Sequence, residues 1–325
     1  MEDPHPRLLV TVRPQDDLRD ALNAQLPEVP WGFLGSTPPG HRADVEAMLV
    51  GGLTREAPEF DPASTPKLEF VQRLYTGVDG IPFSRFPGSV RFAGNVGAFA
   101  PYVAEHAVAL ALAAARDLWT GREMVRTGRL RPPPEQRLLR GATAVILGYG
   151  EIAREIARRL APFDTRVCGL NRSGAPSPGA ERMFAADHLR EALSAGDFVF
   201  DVRPLTRRTS GSIGRAELEG MRPEAILVMV GRAATVDEEA LYHHLVSHPR
   251  FRAAIDVWWQ EEYESGQLPS RFPFAELPNV VGTPHSAGFA PGAPARVARL
   301  AVENLARYFR GGQPDHLVDR SEYPG

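Results

Sequence analysis

The chain has 325 residues, of which 43% are hydrophobic and 24% charged, so an extended disordered protein is excluded and two domain cores are within reach. A formal net charge of −3 offers no electrostatic reason for a nucleic acid partner, which usually demands a basic excess gathered on one face. The longest apolar stretch, Ala107 to Ala115, is too short to span a bilayer, so no membrane partner is expected.

In chain order, the first residues carry no basic segment followed by an apolar run, so no secretory signal is expected. The runs Leu8–Val12, Glu46–Val50, Leu68–Leu74 and Val90–Ala93 predict the strands of a small α/β unit. A helix is predicted to start near Ala100-Pro101, with proline in a first-turn position, and to run through Val103–Leu118. Its small side chains permit close packing onto a second domain or a partner subunit. Arg131-Pro132-Pro133-Pro134 reads as a stiff connector.

From Ala142 the pattern becomes repeated strand–helix alternation. Strands are predicted at Thr143–Leu147, Arg166–Leu170, Phe198–Val202, Ile226–Val230, Ala253–Val257 and Asn279–Gly282. This predicts a doubly wound parallel sheet, because parallel neighbours need crossovers. The only cysteine, Cys168, falls in one of these strands and is expected to be a buried, unreactive thiol. With no intramolecular disulfide possible, a reducing, cytoplasmic setting is the simplest expectation. The last helix, Ala293–Phe309, follows the completed sheet and is expected to return to the N-terminal unit, giving domains of residues 1–97 with 291–325, and 98–290.

The turn after the first strand of the sheet reads Gly148-Tyr149-Gly150-Glu151-Ile152-Ala153. Gly148 would make the tight turn, Gly150 would let backbone approach a pyrophosphate, and Ala153 takes the helix-packing position. The diphosphate would rest on the amides at the helix start. About twenty residues on, where a carboxylate would select NAD by its ribose hydroxyls, the chain has Asn171-Arg172-Ser173. Asn171 does not repel a 2′-phosphate and Arg172 is a forked donor for one, which favours NADP over the alternative, NAD. The chain has a single lysine, Lys67, so phosphate contacts would fall to arginine or to backbone amides.

Three later motifs recur in a characteristic order. They are Met221 to Leu241, which contains Val230-Gly231-Arg232; Ala254-Ile255-Asp256-Val257-Trp258-Trp259-Gln260-Glu261; and Asn279 to Gly288, which contains Thr283-Pro284-His285-Ser286. With Tyr75-Thr76-Gly77-Val78-Asp79, Val103-Ala104-Glu105-His106, Arg203-Pro204-Leu205-Thr206 and Thr209, they resemble the D-isomer-specific 2-hydroxyacid dehydrogenases, and among them the glyoxylate and hydroxypyruvate reductases. The resemblance implies two Rossmann-like domains, a cofactor domain and a smaller, discontinuous, flavodoxin-like substrate domain. It assigns the chemistry to Arg232, Glu261 and His285. Arg232 would bind the substrate carboxylate and polarise its carbonyl, His285 would exchange a proton with the carbonyl oxygen, and Glu261 would orient the imidazole. Thr54, Thr76, Gly77 and Val78 would join Arg232 and His285 around the substrate. Asp256 would hold the nicotinamide carboxamide, with Arg203, Pro204, Thr209, Val230, Gly231 and Ser286 lining the cofactor groove. No metal is implied. The helix from Val103 to Leu118 would form the surface of a homodimer.

The chain departs from the family pattern in three places. Trp258-Trp259 and Glu262-Tyr263 flank Glu261 unusually, so Glu262 is an alternative partner for the histidine. Ala233 replaces a glycine. Asp201 and Arg203 stand where the third strand usually ends in apolar residues, which makes Arg203 a candidate for a cofactor phosphate. Leu53, Thr54 and Trp258 are candidates for setting substrate size. Two other readings stay open. One is formate or phosphite oxidation, against which Glu261 argues because formate dehydrogenases carry glutamine there. The other is a corepressor-like nucleotide sensor with eroded chemistry.

Overall fold

The computed structural model describes residues 5–53, 58, 60–130, 136–260 and 270–323. The chain divides into two units, one of Met1–Phe99 with Ala290–Gly325 and one of Ala100–Phe289. The prolines at 132–134 lie outside the described residues.

The first unit is built on β1 (Leu8–Val10), α1 (Asp16–Gln25), β2 (Trp31–Phe33), β3 (Ala47–Val50), β4 (Phe70–Arg73) and β5 (Arg91–Ala93). Its five strands are parallel, in the order β2-β1-β3-β4-β5 that marks the flavodoxin-like winding. Both faces of the sheet are buried. Leu8, Val10, Ala47, Leu49 and Phe70 face one core, and Leu9, Met48, Val50 and Val71 face the other, in the strict two-residue alternation of a pleated strand. The first core is closed by Leu18 and Leu22 of α1 and by Ala298, Ala301, Val302 and Leu305 of the C-terminal helix, Ala293–Phe309. Two buried amides hold that helix in place. Asn304 Nδ2 donates to Gln72 Oε1 at 2.7 Å, and Asn95 Nδ2 donates to the Val297 carbonyl at 2.9 Å.

The second unit opens with α2 (Ala100–Ala115) and α3 (Leu118–Arg126). The single helix predicted over Val103–Leu118 therefore stops early. Asp117 adopts a left-handed conformation with φ 50°, and the buried Arg252 donates to the Ala114 carbonyl at 2.6 Å, satisfying the helix end. There follow β6 (Thr143–Leu147), α4 (Glu151–Leu160), β7 (Arg166–Asn171), β8 (Arg182–Ala185), α5 (Leu189–Ala195), β9 (Phe198–Asp201), α6 (Arg215–Glu219), β10 (Ile226–Met229), α7 (Glu238–Ser247), β11 (Arg252–Ile255) and β12 (Val280–Gly282). The seven parallel strands run β12-β11-β10-β9-β6-β7-β8. α2 lies along α4 and over β10 to β12, with Ala104, Ala107, Ala111 and Ala114 buried at helical spacing. Among the described residues no helix is long and apolar enough to cross a membrane.

β2 and β8, which the apolar pattern did not predict, are both edge strands. One contains Gly32 and the other starts on the exposed Arg182, so neither carries the continuous apolar run of an interior parallel strand. In the larger sheet the winding reverses between β6 and β9. Ligands of open α/β sheets bind at the carboxyl ends of strands beside such a reversal.

Candidate active site

β6 ends at Leu147, and the chain turns immediately through Gly148 with φ 87°. The amides of Gly148 and Tyr149 both donate to the Leu170 carbonyl at 2.9 Å. A Cβ on Gly148 would lie 3.0–3.2 Å from Arg203, so only glycine fits both the conformation and the space. Gly150 is exposed, nothing lies within 4 Å of where its Cβ would be, and α4 begins at the next residue, Glu151. Ala153 is fully buried at the helix–sheet contact. A bare glycine at a helix start, with no side-chain cap hydrogen bond among the described residues, is a cradle that fits a dinucleotide diphosphate. Glu151 is occupied by an ion pair with Arg154, and Ile152 is half-buried beside it. Tyr149 turns inward, its hydroxyl donating to the Pro178 carbonyl at 3.1 Å, so it offers the turn its main chain.

At the end of β7 the Asn171 side chain folds its own turn. Its Oδ1 accepts from the amides of Ser173 at 3.2 Å and Gly174 at 2.7 Å, and its Nδ2 donates to the Ala175 carbonyl at 2.8 Å. Arg172 and Ser173 are exposed at the tip of that turn. After β9, the Arg203 guanidinium points back onto Asp201, with Nε to Oδ1 at 2.9 Å and Nη2 to Oδ2 at 2.7 Å. Pro204 is exposed, and Thr209 Oγ1 donates to its carbonyl at 2.6 Å. After β10, Val230 is buried and Gly231 packs so closely on Arg203 that a Cβ would lie 2.7 Å from its carbonyl oxygen. Arg232 follows, half-buried.

The turn after β12 carries His285 in the left-handed region, with φ 51°. For a side chain other than glycine this costs about 1–2 kcal/mol. The fully buried Asp256, just beyond β11, holds the turn from both sides. Its main-chain carbonyl accepts from His285 N at 2.8 Å. Its carboxylate accepts from Thr283 Oγ1 at 2.6 Å, Ser286 N at 2.9 Å and Ala287 N at 3.1 Å. His106 Nε2 on α2 lies 3.0 Å from Thr283 Oγ1 and 3.4 Å from Asp256 Oδ1. Since Thr283 donates to Asp256, His106 is the donor to Thr283. Burial pushes the Asp256 carboxyl up. Hydrogen bonds from His106, Thr283 and the two amides outweigh that and hold it below the ordinary aspartate range.

The structure thus gathers Gly148 to Ile152, Asn171 to Ser173, Arg203, Pro204, Thr209, Val230 to Arg232, Asp256, His285 and Ser286 along the carboxyl ends of one sheet. Thr76, Gly77 and Val78 follow β4 of the first unit. There the Thr76 hydroxyl donates to the Asn95 carbonyl at 3.1 Å, and Val78 is buried. Thr54, Glu261 and Glu262 lie outside the described residues. Trp259 and Arg271, on either side of the stretch 261–269, bond at or just before the start of α7. Trp259 Nε1 donates to the Val236 carbonyl at 2.7 Å, and Arg271 Nε donates to Glu238 at 2.7 Å. Two size-setting candidates turn out to be core residues. Leu53 is 1% exposed, and Trp258 is 5% exposed, packed on Gly282 with its indole N–H on the Thr283 carbonyl at 3.0 Å. Sequence reasoning gave no role to His106, Thr235 or Thr283. All three fall inside the quoted motifs, but only their contacts give them a task.

Residues 108–287 match the family model described as D-isomer specific 2-hydroxyacid dehydrogenase, NAD binding domain. A glyoxylate reductase of Pyrococcus furiosus is 32% identical over 288 residues, 85% of this chain and 83% of its own. A solved structure from Pyrobaculum aerophilum, described provisionally as a formate dehydrogenase, aligns over 100% of both chains with 28% identity and a TM-score of 0.82. A D-isomer specific 2-hydroxyacid dehydrogenase from Xanthobacter autotrophicus Py2, solved with NADPH and MES, covers 97% of this chain and 98% of its own. It is 26% identical, with a TM-score of 0.80.

The geometry of Asp256 generates a test. Asp256→Asn puts an NH2 group against the Ala287 amide and should cost about 2 kcal/mol at pH 7. Because the native carboxyl titrates below its ordinary value, the carboxylate stabilises fully above about pH 4 and loses that contribution as pH falls through the depressed native value. In urea unfolding the gap between wild type and variant should therefore narrow on acidification. A gap that stays constant to pH ~3 would remove the charge as its source.

Proposed function

Because this chain belongs to the D-isomer specific 2-hydroxyacid dehydrogenase family, we propose that it is an NADPH-preferring reductase of small 2-oxoacids, glyoxylate and hydroxypyruvate first among them. The observation that carries this reading is the placement of Arg232 and the strained His285 turn on the same sheet edge as the Gly148–Gly150 cradle.

When bound, the nicotinamide supplies a hydride to the carbonyl carbon or accepts one in the reverse direction. The chain does the rest. Arg232, a planar and permanently charged donor, binds the substrate carboxylate and draws density from the carbonyl oxygen, with Thr76, Gly77 and Val78 proposed to add amides. His285 gives its proton to that oxygen as it gains charge and takes it back in oxidation, and Glu261 is proposed to keep the imidazole oriented. Asp256 fixes the turn that aims His285. Among the described residues its Oδ2 accepts only the Ala287 amide, which leaves capacity for a carboxamide N–H. Gly148 to Ile152, Asn171 to Ser173, Arg203, Pro204, Thr209, Val230, Gly231 and Ser286 are proposed to line the cofactor, with Arg203 contributing main chain.

Two observations support NADPH. No carboxylate stands after β7 to repel a 2′-phosphate, and Arg172 is exposed at that turn. The Xanthobacter relative was solved with NADPH. The Pyrococcus relative's activity supports glyoxylate as substrate. The likeness to the Pyrobaculum protein favours formate oxidation as a second reading. We further propose a cytoplasmic homodimer. The expected Val103–Leu118 surface shifts to α3, since the small face of α2 is buried on α4. On α3, Leu118, Trp119 and Val125 are 59%, 55% and 76% exposed, an apolar face of the kind that subunit contacts cover.

Loss of NADPH absorbance should follow glyoxylate or hydroxypyruvate, faster than with NADH. Turnover of formate alone would replace this reading by the second. His285→Ala should cut turnover about a hundredfold or more with NADPH affinity nearly intact, and an unchanged rate would remove His285 from proton transfer. Arg172→Asp should move preference toward NADH; unaltered preference counts against the phosphate assignment. Sedimentation should give a dimer at micromolar concentration, converted to monomer by Trp119→Glu with Val125→Glu.

A further inference from the structure

The reaction proposed above gives Asp201 no task and Arg203 only a main-chain one, yet both stand where the family's third strand usually ends in apolar residues. Both are buried, 2% and 5% exposed. The acceptor positions of Asp201 are filled. Oδ1 takes Arg203 N at 3.1 Å and Nε at 2.9 Å, and Oδ2 takes Arg203 Nη2 at 2.7 Å and Thr235 Oγ1 at 2.9 Å. Arg203 Nη1 donates to Ser212 Oγ at 2.9 Å. The fully buried Thr235 shares its hydroxyl proton between Asp201 and the Arg232 carbonyl, 2.8 Å away. The main-chain carbonyl of Asp201 accepts from Gly231 N at 3.0 Å. Arg203 is itself wedged between Gly148, where a Cβ would lie 3.0 Å from its Cγ, and Gly231.

A buried ion pair is a poor source of stability, because desolvating both charges offsets their attraction, and a well-packed apolar pair often does as well or better. What a forked, bidentate pair adds is direction. It fixes the carboxylate plane and hence the hydroxyl that sits on it. Here that hydroxyl holds the peptide of Arg232. We propose that Asp201 and Arg203, acting through Thr235, are positioning residues that fix the main chain of Arg232 beside the Gly148 turn and so set affinity for the 2-oxoacid carboxylate. The proposal rests on reading Arg232 as the carboxylate ligand.

The test uses the full chain with saturating NADPH and three variants. Thr235→Val removes the hydroxyl and keeps the shape, Thr235→Ser keeps the hydroxyl, and Asp201→Leu with Arg203→Leu substitutes an apolar pair. Melting temperature, KM and kcat for glyoxylate, and calorimetric affinity for oxamate, an unreactive 2-oxoacid mimic, are measured for each. Thr235→Val should raise KM and weaken oxamate about tenfold or more, with kcat changed less, and Thr235→Ser should stay near wild type. The double variant should melt at or above the wild-type temperature and show the same loss of oxamate affinity. A stable double variant with wild-type KM and oxamate affinity overturns the proposal. If the double variant does not fold, wild-type oxamate affinity in Thr235→Val overturns it instead. Arg232→Ala separates the two claims. Unchanged oxamate affinity there defeats the reading of Arg232, whereas its loss there with unaltered Thr235→Val defeats only the positioning role.

Discussion

A carboxylate without solvent must find donors inside the protein, and Asp256 finds them in the turn that carries His285. That requirement explains much of the local architecture. The left-handed backbone of His285 would relax if its neighbours were free. Instead a hydroxyl and two amides converge on one anion, while the His285 amide itself is held by the Asp256 carbonyl. Thr283 passes the connection to His106, so helix α2 is tied to the same turn. Trp258, which sequence reasoning placed beside the substrate, works from below by bonding the Thr283 carbonyl.

The second constraint is the parallel sheet itself. With every strand of the larger sheet running the same way, every strand hands its following loop to the same edge, so groups far apart in sequence become neighbours. The close approach is made possible by missing side chains. Gly148 and Gly231 both leave space that the backbone and side chain of Arg203 fill. In the function proposed above, main-chain amides would take the diphosphate, and Arg172, Arg232 and His285 the 2′-phosphate, the carboxylate and the proton. This division suits a chain with almost no lysine, whose remaining cation, arginine, is directional.

Much of this was legible in the residues. Interior strands such as Ile226–Met229 announce themselves because burial on both faces demands an unbroken apolar run, and the strand–glycine–helix junction at Gly148 has few other uses. What stayed hidden depends on partners distant in sequence. The end of α2 at Ala115 is set by Arg252, far along the chain, and no local pattern contains that information. Arg203 read as a possible phosphate ligand because a sequence shows a charge and not the carboxylate that claims it. Asn171 was legible as the absence of a repelling carboxylate, but its work as the template of its own turn was not. The edge strands β2 and β8 escaped because a strand with one neighbour needs little apolar pattern, whereas the edge strands β5 and β12 kept enough of it to be read.

The C-terminal helix that closes the first unit has a consequence for how the protein is made. Leu8, Val10 and Leu49 rest on Ala301, Val302 and Leu305, residues made some 250 or more positions later. The intervening unit, Ala100–Phe289, is contiguous and can complete its sheet during synthesis, whereas the strands translated first wait with one apolar face uncovered. At about 5–20 residues per second that wait lasts on the order of ten seconds or more. Throughout it, the face of β1 and β3 that meets Ala301, Val302 and Leu305 stays open, so the first unit cannot close its core until residues beyond Phe289 have emerged.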